Sequence, residues 1–272
     1  MRYKSGFTLL EILVALGILG VLSVIFLQIF TNTLSTTTNL NSRNNLINEG
    51  QLAVRVISSR LQEACYVYPQ GSTITLTSSG WTTQKTVGGS GYNWVVGADP
   101  IVAMLLPPEP GSNQYRFFAY FAMTRAFYQS NASASERLEP DTQNTNALVL
   151  MEYRANIDSS LSLSTGQTCQ VLAANLAGGT DTTDPSVTPT NLPLQPLTGS
   201  RRGIVLVDYV QPGTPLFTVP ATTGGASAPS VGINLSFLKQ VQGRTLVVNG
   251  ASANGLNITV FPRNINAGAA TN

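Results

Sequence analysis

The 272-residue sequence contains no histidine. That removes the usual general base of serine and cysteine triads and the commonest nitrogen ligand of metals, so triad chemistry and zinc sites have almost nothing to be built from. Cysteine is nearly absent as well: Cys65 and Cys169 lie far apart and match no metal-binding spacing. A disulfide between them is the better use of the pair, the alternative being two unrelated buried thiols. Charge is scarce, with Asp, Glu, Lys and Arg making up 10% of residues, against roughly 25% in average soluble domains. Thr, Ser, Asn, Gln and Gly take their place, a surface that suits an exported or assembled protein. The formal charge is +2, but Arg2 and Lys4 precede a long apolar run, and without them 13 basic side chains face 13 acidic ones. A neutral chain lacks the bulk positive field that draws proteins to nucleic acid.

What the sequence does have is apolar residues enough to fill a core, 43% hydrophobic with 8% aromatic, over a length that suits one large domain or two small ones. They begin early. From Ile12 to Phe30 run 19 residues without a charge, which meets the length of roughly 20 that a helix needs to cross a bilayer. Arg2 and Lys4 before the run place the N-terminus in the cytoplasm by the positive-inside rule, so the chain beyond about Thr31 is expected outside. The run exceeds the roughly 7 to 15 apolar residues of a secretory signal and ends in IFTNTL, so signal-peptidase removal after it is not expected. One carboxylate, Glu11, sits where the run starts. An acid within a spanning segment costs a few kcal/mol and takes a partner. No Lys or Arg lies between Glu11 and Arg43, so an i, i+4 ion pair is excluded and the expected partner comes from outside the helix.

The stretch Gly6-Phe7-Thr8-Leu9-Leu10-Glu11 followed by this apolar helix resembles the N-terminal signature of type IV pilins and type II secretion pseudopilins. The resemblance implies a leader of residues 1–6, cleavage after Gly6 by a membrane aspartyl protease, and N-methylation of the new first residue, Phe7. It also implies a role for Glu11 in assembly. Five residues into the mature chain, its carboxylate would pair with the Phe7 ammonium of its own chain or of a neighbouring subunit. Such a pair serves better as a register device than as net stabilisation.

No proline occurs before Pro69, and Leu40, Ile47, Val54 and Leu61 recur every seven residues, with Ile57 and Ala64 on the same face. One helix is therefore expected over 7–64, about 87 Å long, with 7–30 as the transmembrane or filament-core half and an apolar stripe under a head domain in the second half. Arg43 and Gly50 interrupt the second seam position, which argues against a freestanding coiled coil. Gly17 and Gly20 mark close-approach points for neighbouring helices. Many major pilins carry a proline in the middle of the apolar segment; here that region reads VIFLQIF, which tilts the resemblance toward a minor pilin or pseudopilin.

Beyond Cys65 the chain turns to short β-branched and aromatic runs broken by Gly, Pro and Asn, as antiparallel strands require. The expected strands are 72–77, 114–128, 146–155, 202–210, 231–239 and 256–264. Residues 175–196 hold many breakers and no periodicity, so 175–200 is expected as a long loop on a head spanning 65–272. The fold class expected is thus α+β, a long N-terminal helix packed on an antiparallel sheet. RNNLINEGQLAVRVISSRLQEA (43–64) and the late TVFPRN are similar to W-type minor pilins; J-type pseudopilins share the helix pattern.

The head offers little chemistry. GGSGY (88–92) lacks the Lys-Ser/Thr of a phosphate loop and reads as a turn. A Ser–Lys dyad would have to use Lys85 or Lys239. Asp181 and Asp184 supply two carboxylates where calcium needs six to eight oxygens, so they read as solvated loop acids. Arg201 and Arg202 with Trp81, Trp94 and Tyr92 are the residues a small patch for single-stranded DNA would use, against an edge strand with buried aromatics. No cofactor is expected. The expected function is that of a minor pilin, or alternatively of a J-type pseudopilin. Its expected partners are other pilin subunits, the prepilin peptidase and methyltransferase, the inner-membrane assembly platform and the lipid bilayer.

Overall fold

The computed structural model describes residues 8–76, 80–107, 109, 115–156, 203–222, 227–250 and 256–263. One helix, α1, runs unbroken over Leu9–Glu63, 55 residues, or about 83 Å. It ends at Ala64, whose backbone is extended (φ −62°, ψ 133°), and the chain passes almost at once into β1 (Tyr66–Val67). There follow β2 (Thr73–Thr75), β3 (Asn93–Val95), β4 (Ile101–Leu106), β5 (Arg116–Thr124), α2 (Arg125–Asn131), β6 (Leu148–Asn156), β7 (Ile204–Val210), β8 (Phe217–Thr218), β9 (Val231–Asn234), β10 (Phe237–Val241), β11 (Arg244–Val248) and β12 (Asn257–Val260). Among the described residues these form a seven-stranded sheet ordered β1-β4-β5-β6-β7-β10-β11, a three-stranded sheet β12-β9-β8, and the pair β2-β3. All their pairings are antiparallel. The architecture is α+β and pilin-like, as the sequence led one to expect.

The central strands do not alternate between apolar and polar as half-exposed antiparallel strands do; all six residues of β4 and the seven inner residues of β5 are buried. The cause is that both faces are covered. Neighbouring residues on a strand point to opposite faces. Phe118 has the Arg60 guanidinium of α1 5.2 Å from its ring centroid, whereas Phe117 packs on Tyr68 at 6.0 Å and Phe121 on Trp94 at 4.9 Å. The helix therefore lies on one face, and the segment between α1 and β4 lies on the other.

Val54, Ile57, Leu61 and Ala64 are buried beneath the helix as the seven-residue stripe required, and Ile47 is half-buried. Leu40 is not part of the contact: it is 55% exposed, and the docked face begins at Leu46. Gly50, read from sequence as an interruption of the seam, is a point of close contact. A Cβ there would lie 2.6 Å from the Phe237 ring and 2.8 Å from Leu256 Cδ2. The absence of a side chain lets β10 approach the helix backbone.

Three expected strands were wrong in extent: of the run 256–264 only Asn257–Val260 is strand among the described residues. The run 114–128 is a strand only to Thr124, because Arg125 turns inward and α2 begins. The Arg125 side chain is almost wholly buried, bonding Asp208 through Nε at 2.9 Å and the carbonyls of Glu139 and Asp141 at 2.6 and 3.2 Å. The run 231–239 is two strands in two sheets, parted at Leu235 and Ser236. There the backbone leaves β9 to accept the Gln211 N–H on Ser236 O at 2.7 Å, and Leu235 N–H donates to Leu256 O at 2.9 Å. β10 then meets β7 through the single pair Phe237↔Val210. The expected loop at 175–200 lies outside the described residues.

Because the helix sits on the head through Gly50, filling that position should loosen the joint. Gly50→Val is expected to destabilise the head by about 1–3 kcal/mol through overpacking. Gly50→Ala should cost less, since alanine regains up to about 1 kcal/mol of helix propensity. Urea unfolding of the detergent-solubilised chain measures both.

Candidate functional site

The site proposed by the sequence is the first turn of α1, and the structure builds it from Thr8 and Glu11. Thr8 is the N-cap, in extended conformation (φ −75°, ψ 150°). Its N–H and its hydroxyl both donate to Glu11 Oε2 at 2.9 Å, and the Glu11 N–H donates to Thr8 Oγ1 at 3.3 Å. This reciprocal arrangement is a capping box, in which two otherwise orphaned backbone donors of the first turn are satisfied.

Sequence reasoning missed Thr8. The signal was present, since a threonine followed three residues later by a glutamate just before an apolar run is the capping-box pattern. The expectation that Glu11 finds no partner in its own helix is corrected accordingly: it finds neutral donors. They leave its charge in place. Among the described residues the carboxylate is held by Thr8 through Oε2 alone. The negative charge in the first turn also suits the positive end of the helix dipole.

Beyond this first turn the described helix surface is largely apolar as far as Phe30. Every large hydrophobic side chain from Leu9 to Phe30 is exposed, between 49% and 81%. Glu11, Ile12, Ala15, Leu16 and Leu19 lie together along one exposed side of the helix. A Cβ built on Gly17 or Gly20 would meet nothing within 4 Å. This half of α1 is long and apolar enough to cross a membrane, by length and composition. Gly6 and Phe7 lie outside the described residues.

At the other end of α1, Cys65 is fully buried directly after the helix, its N–H bonded to Leu105 O at 2.8 Å. Its sulfur is disulfide-bonded rather than a free thiol. Cys169, like Asp181, Asp184, Arg201 and Arg202, lies outside the described residues.

The polar groups of the head are engaged in holding it together. Lys85 Nζ pairs with Asp99 at 3.0 Å, both largely buried, beneath the GGSGY turn, in which Gly88, Gly89 and Gly91 take positive φ. Lys239 Nζ lies 4.0 Å from the Tyr209 ring centroid. Neither lysine is set beside a serine nucleophile among the described contacts. Trp94 is buried, its Nε1–H donating to Thr83 O at 3.1 Å, and Trp81 packs edge-on against Tyr128 at 5.1 Å. The two indoles thus form no exposed stacking platform. Tyr92 is partly exposed. Burial pushes the Asp208 carboxyl above the ordinary carboxylate range, with the Arg125 guanidinium opposing the shift. Burial, with the adjacent Glu152 carboxylate, likewise pushes the Tyr120 phenol upward; its hydroxyl donates to Glu152 at 2.8 Å, and Glu152 also pairs with Arg154. These are buried, bonded groups of the kind that specify a core. Among the described residues no three of His, Cys, Asp or Glu come together as metal ligands.

Residues 1–27 match the family model described as the prokaryotic N-terminal methylation motif. No curated protein and no solved structure matches the chain. The motif supports a type IV pilin-like or pseudopilin protein, a structural rather than catalytic class, and implies processing by a prepilin peptidase and assembly with other pilins. Together with the apolar half of α1 it supports membrane anchoring before assembly.

Proposed function

We propose that the chain is a minor pilin of a type IV pilus, of the W-type, cleaved between Gly6 and Phe7 and methylated on Phe7. Its head is carried outside the cytoplasmic membrane, and its apolar half-helix passes from the bilayer into the filament. The observation that carries this reading is the Glu11 carboxylate: it stands on a bare apolar helix, held through Oε2 by the neutral donors of Thr8. A cation must meet it once lipid or neighbouring helices replace water, because an isolated buried charge is expensive. The Phe7 ammonium created by cleavage is the cation at hand, on the same chain or on the next subunit. The helix without proline and the strand-rich head serve a J-type pseudopilin of a secretion system equally well, and neighbouring pilus or secretion-channel genes decide between the two.

Two variants test the pairing. Glu11→Ala should permit cleavage and membrane insertion yet lower the amount of protein in sheared filament fractions, roughly tenfold or more if a buried pair is broken. Glu11→Gln keeps an acceptor for the Thr8 cap but removes the charge, and it should fail to a similar degree. Wild-type incorporation of the Gln variant would show that the cap, not the charge, is what assembly needs.

The bonded state of Cys65 supports a second part of the proposal, a disulfide to Cys169, the chain's one other cysteine. Both would lie outside the cytoplasm, where disulfides persist. A loop of this length restrains the unfolded chain by roughly 4–5 kcal/mol in the chain-entropy model, and the bridge would tie the head to the end of its helix. Peptide mapping of the non-reduced exported protein should yield one species containing both cysteines. Recovery of two free thiols contradicts it.

A further inference from the structure

The middle of α1 differs from both of its ends. Of the 15 residues from Thr31 to Asn45, 12 are Thr, Ser or Asn, all from the weak part of the helix-propensity scale. The stretch before it is apolar, and the stretch after it, Leu46–Glu63, is docked through Leu46, Gly50, Ala53, Val54, Ile57 and Leu61. Between the apolar segment and the docked one the helix has little to hold it among the described residues: Ser35, Asn39 and Ser42 are half-buried and the other residues of 31–45 are exposed. No Lys, Arg, Asp or Glu lies between Glu11 and Arg43, so no ion pair spans these turns.

The hydrogen bonds point the same way. The hydroxyls of Thr33, Thr36, Thr37 and Thr38 donate to the carbonyls of Ile29, Asn32, Thr33 and Leu34, each at 2.9 Å. Each of these is the i−4 carbonyl that the same residue's backbone N–H uses in the helix. A side chain that shares this carbonyl offers the backbone an alternative partner, which weakens and bends helices. Asn39 Oδ1 is enclosed without a hydrogen-bond partner, a further cost carried by the same turns.

We propose that residues 31–45 are a built-in release segment of α1, which opens before the helix on either side and lets the head extend away from, or swing on, its apolar anchor. Local opening is drawn from the parts of a fold with few buried contacts and solvent-exposed backbone bonds, and this segment meets both conditions. Passing from about 1.5 to about 3.3 Å per residue, 15 residues gain roughly 27 Å of length. The docked half stays with the head, since unwinding it would uncover the core. The proposal concerns the helix alone and stands independently of the kind of filament the chain joins.

Amide hydrogen exchange of the full chain in detergent micelles, followed by mass spectrometry, tests it. Segment 31–45 should exchange at least roughly tenfold faster than 46–63. The combined substitution Thr36→Ala, Thr37→Ala and Thr38→Ala should slow that segment roughly tenfold, because alanine is the better helix former and carries no competing hydroxyl. Exchange of 46–63 should stay unchanged in the variant. Equal protection of 31–45 and 46–63 in the wild-type chain overturns the proposal, and so does a variant whose 31–45 segment exchanges at the wild-type rate.

Discussion

A carboxylate on an apolar helix must have its charge answered, and the first third of this molecule is arranged around that requirement. Thr8 supplies two hydrogen bonds to Glu11 Oε2 and takes one back from the Glu11 backbone. These bonds fix the side chain and finish the helix, but neutral donors do not cancel a charge. On the proposed reading, that uncancelled charge governs what the helix does next. In water it is hydrated; among lipids or other helices it needs a cation, and the bare apolar surface of α1 is suited to both of those settings rather than to water. On the proposed reading, the same residue that finishes the helix also makes it depend on a partner.

A device of this kind acts on the head only if the helix is firmly attached to it. The attachment is a tightly packed stripe, with Gly50 allowing Phe237 against the helix backbone and Ile57 and Leu61 fully buried. Beyond it, the helix gives way within a few residues to β1, with bonded Cys65 at the joint. Between the charge and the stripe lies the Thr- and Asn-rich stretch, where neither packing nor ion pairing reinforces the backbone. The polypeptide thus reads as an anchor, a compliant middle and a docked end along one continuous helix.

How much of this was legible in the sequence follows from which forces are local. The helix could be read because proline is missing before Pro69 and the docked stripe repeats every seven residues. Strands β5, β6 and β7 could be read from β-branched and aromatic runs. Strand β4, IVAMLL, was missed although it is a short continuous apolar run, the mark of a strand buried on both faces. The hairpin β10–β11 was also missed. Its two-residue turn, Gln242 and Gly243 with φ of 51° and 75°, is the primed-turn geometry that a glycine there announces. The switch between sheets at Leu235 and Ser236 could not have been read, because the alternation of apolar residues continues through it and only long-range bonds to Leu256 and Gln211 separate the strands. Arg125 ending β5 is of the same kind: its reason is Asp208, 83 residues away. At the candidate site Glu11 was evident by its charge alone, whereas Thr8 needed the capping pattern to be recognised.

The most direct test of the account is the chemical identity of the mature N-terminus. Protein recovered from the membranes of cells with an active prepilin peptidase should give, by mass spectrometry, an N-terminal peptide that begins at Phe7 and carries a methyl group on its amine. That amine is the cation the account assigns to Glu11. A chain from such cells that still begins at Met1 would contradict it.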